Sequence, residues 1–362
     1  MEYFDNPKRV LEKGSSQSGE VAWRSPSNIA LVKYWGKYGR QFPSNPSVSL
    51  TLQEAYTETR ITYAPKRTKS AGIELEFFFE KKTNPAFARR IQKYLDALDP
   101  IFPFLKQLHL LIESHNSFPH STGIASSASA MSALALGLCD LEQTLFKNES
   151  GKNEFLRKAS YVARLGSGSA CRSLFPVAAV WGQNDQLAEA SQEFAIGIQE
   201  KTHPVFHTFH DDILLVSRKK KEVSSTAGHQ LMKEHPFADV RFNQARNNLA
   251  SMLNALEKGD LGRFGQVLEQ EALTLHGLMM SSQPPFILLE PNTLTLIRKV
   301  REFRQETSCP LYFTLDAGPN LHLLYPESAS EEARSFIQSE LRPLCQDQQV
   351  IQDVVGQGSV KI

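Results

Sequence analysis

The 362-residue chain is poor in several features that would assign it to a class at once. It has four cysteines, Cys139, Cys171, Cys309 and Cys345, and no two form a C-x-x-C pair. That spacing gives no support to a zinc ribbon or to thioredoxin-type redox chemistry, and a reducing cytoplasm is the simplest compartment. No run reaches the 18 or so uncharged apolar residues of a membrane-spanning helix; the nearest stretch, Ser129 to Cys139, is too short. Residues 1–20 are polar and mixed in charge, without the apolar region of a signal peptide. Neither sign of charge is in excess: 40 Lys and Arg face 39 Asp and Glu, a net charge of +1. This excludes a surface built throughout for nucleic acid. Internal repeats and low-complexity tracts are absent too. The remainder, 41% hydrophobic and 22% charged, is the composition of a globular protein. Its length is a soft prior for two domains.

Along the chain, residues 1–20 read as a mobile or accessory arm. Val21 to Arg24 and Ala30 to Tyr34 predict short strands around a turn at Ser25-Pro26-Ser27-Asn28. Ser47 to Leu52, Thr57 to Tyr63, Ile73 to Phe79 and Leu108 to Ser114 predict further strands. Helical spacing marks Pro85 to Leu98, and Ile124 to Leu141 and Asn153 to Leu165 are further helices. Phe175 to Gly182 is strand-like. After a composition change near Lys201-Thr202-His203-Pro204 come a strand, Ile213 to Ser217, and helices at Phe242 to Glu257, Leu261 to Met280 and Asn292 to Glu306. Leu311 to Leu315 and Leu321 to Tyr325 bracket an Asp-Ala-Gly-Pro-Asn loop. Strands and helices interleave without strict β-α-β-α spacing, so the fold class is α+β. Two domains are expected, 21–207 and 208–362, after the arm at 1–20.

Three segments imitate functional motifs. Gly14 to Glu20 has Walker A glycine spacing but lacks the lysine and hydroxyl that bind phosphate and magnesium. His203, His207 and His210 would share a helix face, but Pro204 and the β-favouring residues between them predict an extended segment that separates them. Cys171 lacks a histidine that the sequence can place beside it, and reads as a small buried thiol.

Chemistry concentrates elsewhere. Pro119-His120-Ser121-Thr122-Gly123-Ile124-Ala125-Ser126-Ser127-Ala128 is a turn running into a helix. The unpaired N–H groups and positive dipole end of such a helix suit an anion, with two serine hydroxyls beside them. The same residues also fit a capped packing helix. Three more segments stand with it: Ser27-Asn28-Ile29-Ala30-Leu31-Val32-Lys33-Tyr34-Trp35-Gly36-Lys37, Gly166-Ser167-Gly168-Ser169-Ala170-Cys171-Arg172-Ser173 and Thr314-Leu315-Asp316-Ala317-Gly318-Pro319-Asn320. In order and spacing these resemble the diphosphomevalonate decarboxylase family of the GHMP small-molecule kinase superfamily. Val223-Ser224-Ser225-Thr226-Ala227-Gly228 resembles a further loop of that family. The likeness runs from about residue 22 to 325.

The resemblance implies a two-domain GHMP kinase fold: an N-terminal α+β domain with a phosphate loop and a ferredoxin-like C-terminal domain. It implies use of ATP and Mg2+, a small-molecule substrate (mevalonate 5-diphosphate) rather than a nucleic acid or membrane, and a homodimer. Asp316 would be general base, Arg172 and Asn28 would grip the leaving carboxylate, and Ser225 would steady the transferred phosphoryl group or the magnesium shell. Tyr34, Lys37, Lys33, Ser167, Gly168, Ser169 and Thr226 would bind substrate. Pro119, Ser121, Gly123, Ala125, Ser126 and Ser127 would bind the ATP phosphates. A decarboxylase of the monophosphate, or an enzyme stopping after 3-phosphorylation, would share most of these motifs.

The chain departs from the family pattern in its phosphate loop, at Pro176-Val177, and at His229, where the family usually has Met. Charge is also segregated. The stretches 21–53, 114–139, 159–184 and 307–326 hold Arg24, Lys33, Lys37, Arg40, Arg164 and Arg172 against a single acid, Asp316. Gathered by the fold, they would form a positive funnel for a polyanion.

Overall fold

The computed structural model describes residues 3–66, 71–118, 126–147, 150–218 and 225–362. In chain order the first half supplies β1 (Gly19–Val32), β2 (Lys37–Tyr38), β3 (Phe42–Pro43), β4 (Ser47–Pro65), β5 (Glu74–Phe79), β6 (Lys82–Thr83), α1 (Pro85–Ala97), β7 (Leu108–Asn116), α2 (Ser126–Phe146), α3 (Lys152–Gly166), β8 (Ala178–Trp181) and β9 (Ala195–Gly197). The second half supplies β10 (His210–Leu214), α4 (Ser225–Leu231), α5 (Ala238–Lys258), α6 (Leu261–Met280), α7 (Pro291–Thr307), β11 (Tyr312–Thr314), β12 (Leu321–Tyr325), α8 (Ser330–Phe336), β13 (Val350–Val354) and β14 (Val360–Lys361).

Among the described residues the larger sheet has eight strands. Its main path is β14-β1-β4-β7-β5-β6, and β8 and β9 extend from the first part of β4. Val21, Ile61, Ile112, Leu134 and Leu138 form one apolar core between this sheet and α2. Leu11 is buried in the same core, and its N–H donates to Gln107 Oε1 at 2.7 Å. The smaller sheet, β11-β12-β10-β13, is antiparallel throughout. One face packs Leu321, Leu323 and Phe313 against Leu296 and Val300 of α7. On the other side, Ile213 and Leu324 share a core with Leu249 and Met252 of α5, Phe264 and Leu268 of α6, and Ile29 and Leu31 of β1. This shared core fixes the end of β1 against the second half of the chain.

Three expectations need correction. The predicted turn at residues 25–28 is absent: β1 runs straight through it, paired with β4, with register shifts at Pro26/Asn28 and at Ala30/Val32. An irregular pairing tolerates the proline, which cannot donate to the ladder. The strands predicted at 47–52 and 57–63 are likewise one strand, β4. The segment after His203 is not extended either, since Pro204–Thr208 forms a short 3-10 turn. Proline at the start of such a turn has no N–H to leave unpaired. The three imidazoles have separate partners: His203 accepts from the Val205 N–H, His207 meets the Thr202 carbonyl, and His210 meets Glu327 at 2.5 Å.

Candidate active site

Where β1 leaves the sheet, the chain is held tightly at Lys33. Its backbone N–H donates to Glu271 Oε2 at 2.9 Å, and its carbonyl accepts from Arg241 at 3.2 Å and Asn45 at 3.0 Å. The Lys33 side chain is 2% exposed, and its Nζ donates to Asp316 Oδ1 at 3.0 Å. Asp316 sits in the loop between β11 and β12. Its side chain is 31% exposed, so a ligand can reach it. Its carbonyl accepts from the Gly318 N–H at 2.7 Å and from His276 Nε2 at 3.2 Å. Burial pushes the His276 pKa down to about 4, so the ring is neutral at physiological pH. Because the Asp316 carbonyl can only accept, the proton is on Nε2, and the buried Nδ1 has no partner among the described residues.

Arg172 follows α3 in the loop that begins at Ser167. It is 2% exposed, and among the described residues no carboxylate pairs with it. Its Nε donates to Ser49 Oγ at 3.1 Å, Nη1 to Ser47 Oγ, and Nη2 to Asn28 Oδ1 at 3.4 Å. Asn28 Nδ2 in turn donates to Ser173 Oγ at 2.7 Å and to the Ser169 carbonyl at 3.3 Å. Burial pulls the guanidinium pKa below its usual range, opposed in part by the field of Asp316. A buried guanidinium with only neutral partners is costly by itself and suits an anionic ligand.

The Tyr34 ring packs on Trp181, with centroids 4.7 Å apart. It also lies over Gly168, where an added Cβ would stand 2.8 Å from the tyrosine hydroxyl. Any side chain at 168 would displace the ring. Among the described residues the buried Tyr34 hydroxyl has no hydrogen-bond partner, and burial raises its pKa. Lys37 Nζ donates to Gln41 Oε1 at 2.8 Å, and burial, with Arg90 nearby, lowers its pKa. Ser167 Oγ lies 3.3 Å from Ser127 Oγ, bringing the first turn of α2 to the arginine loop. Ser126 opens α2. Pro119, Ser121, Gly123 and Ala125 lie outside the described residues. So do the side chains of Ser225 and Thr226, which open α4.

The charge sum needs trimming. Arg24 donates twice to Glu58, and Arg164 pairs with Glu193 at 2.8 Å while also donating to the Arg40 carbonyl. Both are committed to structure. Lys33, Lys37, Arg40 and Arg172 remain, of which Lys33 pairs with Asp316, Lys37 meets Gln41, and Arg172 is held by Ser47, Ser49 and Asn28.

Sequence reasoning missed a cavity of about 180 Å³ beside the start of α2. Phe77 and Phe79 of β5, Phe87 and Arg90 of α1, and Ser126 and Ser127 line it. Its only trace in the sequence is the aromatic run Phe77-Phe78-Phe79 shortly before Phe87. The Glu271–Arg241 pair behind Lys33 was missed as well.

Two family models cover most of the chain. A diphosphomevalonate decarboxylase-like N-terminal domain matches residues 25–193, and a mevalonate 5-diphosphate decarboxylase C-terminal domain matches 212–359. The diphosphomevalonate decarboxylase of Gibberella zeae is 30% identical over 321 residues, covering 85% of this chain and 81% of that protein. The chain belongs to the diphosphomevalonate decarboxylase family.

The bovine diphosphomevalonate decarboxylase is 29% identical, covering 83% of this chain and 75% of its own. Among solved structures, mevalonate diphosphate decarboxylase from Staphylococcus aureus is similar with a TM-score of 0.82 at 28% identity, over 96% of this chain and 98% of the other. A complex of MDDEF with MVAPP, AMPPCP and magnesium has a TM-score of 0.79 at 28% identity, over 96% of this chain and 99% of the other. The motif resemblance and the α+β GHMP kinase fold expected from it both hold for this member of the diphosphomevalonate decarboxylase family.

Proposed function

We propose that the protein converts mevalonate 5-diphosphate to isopentenyl diphosphate, using ATP and Mg2+, in isoprenoid biosynthesis. The observation that carries this reading is Arg172, a buried guanidinium held by Ser47, Ser49 and Asn28 and lacking a carboxylate partner among the described residues. The carboxylate of the substrate supplies the missing anion in two parallel hydrogen bonds.

In the first step the 3-hydroxyl oxygen attacks the terminal phosphorus of ATP and ADP leaves. Asp316 takes the hydroxyl proton on the oxygen not engaged by Lys33. In the second step the C–C bond to the carboxylate breaks and releases carbon dioxide. Its electron pair becomes the new double bond as the C3–O bond breaks and phosphate departs. Positive charge develops at C3, so donors fixed around the leaving phosphate stabilise the transition state. Ser225 steadies that phosphoryl group. Tyr34, Lys37, Ser167, Gly168, Ser169 and Thr226 hold the diphosphate, and Lys33 adds positive potential. The unpaired Tyr34 hydroxyl supports this placement. Pro119, Ser121, Gly123 and Ala125, with Ser126 and Ser127, hold the ATP phosphates. The aromatic cavity that Ser126 and Ser127 line takes the base. Ser225, with the residues on the ATP phosphates, would steady magnesium brought in with the nucleotide, and the ion would supply positive charge to the transferred phosphoryl group.

The reading includes an arm at 1–20 and domains at 21–207 and 208–362, supported by the break between the two family models. It also includes a cytoplasmic homodimer, supported by four buried free cysteines and the family likeness. Among the described residues no helix is long and apolar enough to cross a membrane. The deciding assay compares mevalonate, its 5-phosphate and its 5-diphosphate with ATP and magnesium. Carbon dioxide and ADP should appear together on the diphosphate. ADP without carbon dioxide would leave a kinase instead.

A further inference from the structure

His229 occupies a position where the chain departs from its family's pattern, and it is built into the substrate-binding segment. Its ring lies 4.2 Å from the Tyr34 ring and 4.9 Å from the Trp35 ring, centroid to centroid. Its Nδ1 accepts the buried N–H of Gly36 at 3.0 Å. The preceding Gly228 lets α4 come this close, because a Cβ there would stand 2.5 Å from the Trp35 indole. The Tyr34 ring is also bounded by Gly168 and Trp181.

We propose that His229 is a positioning residue that latches α4 to the Tyr34–Lys37 turn, setting where Tyr34 and Lys37 meet the substrate's diphosphate. The latch has two parts. The imidazole ring packs on the Tyr34 ring and restricts it, together with Gly168 and Trp181. The Nδ1 acceptor fixes the backbone between Trp35 and Lys37, from which the lysine projects. Since Ser225 and Thr226 lie on the same short helix as His229, the latch also ties them to this turn. The ring stays neutral because burial lowers its pKa to about 3, and so keeps Nδ1 as an acceptor across the working pH range.

The inference rests on the functional reading above, and its test separates the two. Wild-type turnover of mevalonate 5-diphosphate judges the reading. His229→Phe and His229→Asn judge the latch. Phenylalanine keeps a ring and removes the acceptor, leaving one buried N–H unpaired. Asparagine loses the ring but can place an oxygen near the Nδ1 position. With Phe, KM for mevalonate 5-diphosphate should rise about tenfold while KM for ATP stays within twofold. Asn should recover part of the loss, and both variants should keep a flat pH response where wild type does. If Phe fails to fold, His229→Gln replaces it, because its amide reaches the Nε2 position and misses Gly36. Amide exchange at Gly36, faster in Phe or Gln than in Asn, reads the latch without any substrate. Unchanged KM and unchanged Gly36 exchange in Phe or Gln would overturn the proposal, as would an equal rise in both KM values.

Discussion

Replacing Glu271 should damage both stability and catalysis, and the two losses can be separated. Glu271 is fully buried on α6 and accepts four hydrogen bonds. Two come from Arg241 at 2.7 and 2.6 Å, one from Asn248 at 2.6 Å and one from the Lys33 N–H at 2.9 Å. Arg241 itself is 1% exposed. Breaking a buried ion pair by removing one partner costs about 3–5 kcal/mol. Orphaning the Lys33 N–H adds about 1–3 kcal/mol. Glu271→Ala should therefore lose about 4–8 kcal/mol, comparable with the whole stability of many domains. Glu271→Gln preserves shape but turns an amide toward the guanidinium, and should lose about 3 kcal/mol. The paired change Arg241→Met with Glu271→Leu removes both charges together, so only the orphaned Lys33 N–H remains and its stability should recover to within about 1–3 kcal/mol of wild type. It leaves the Lys33 backbone without its two helix partners. A displacement of the Lys33 ammonium by about 1 Å would lower kcat roughly a hundredfold. Urea denaturation of the three variants, with kcat for those that fold, makes the measurement. Wild-type stability in Glu271→Gln would refute the energetic argument, and wild-type kcat in the double variant would refute the positioning one.

Other perturbations report on different parts of the molecule. Arg172→Met should lower kcat/KM by at least a hundredfold while leaving the thermal midpoint equal or higher, because it removes a buried charge that has no ion-pair partner among the described residues; a large fall in the midpoint would contradict that account. Asp316→Asn should cost 10²–10⁴-fold in kcat, in the range of roughly one general base, with nucleotide affinity by calorimetry unchanged. The carboxyl of Asp212 is pushed up to about 6 by burial, so the native state holds its proton more tightly than the unfolded chain. Its stabilising contribution is full below about pH 4 and is lost as pH rises toward about 6. Asp212→Asn should therefore flatten that decline and gain about 1–3 kcal/mol at pH 7 with little change at pH 4, read by denaturation at both values.

How legible the molecule was from its residues depended on the range of the interaction. Helix α6 was read to the residue, Leu261–Met280, because its apolar spacing has the helical period. Strand β1 was cut in two because Ser25-Pro26-Ser27-Asn28 has the composition of a turn, and only pairing with β4 across a shifted register overrides that local preference. Asn28 and Arg172, 144 residues apart, stood out through their motifs and do meet. Arg24 and Arg164 were counted with them because a charge sum cannot see Glu58 or Glu193 approaching from elsewhere. Glu271 and Arg241 left only a weak trace, one acid within an apolar helix stripe and one base on the neighbouring helix.

The pairing of β14 with β1 has a consequence for the order in which the molecule can be made. Trp23 faces Lys361 across the ladder, and Ser359 Oγ donates to Ser25 Oγ at 2.9 Å and to the Ser173 carbonyl at 3.2 Å. Ser173 is the residue after Arg172 and an acceptor for Asn28. During synthesis the larger sheet emerges first but lacks this edge until the smaller sheet has followed it out. The loop that holds the buried arginine therefore receives its last support only when both sheets exist.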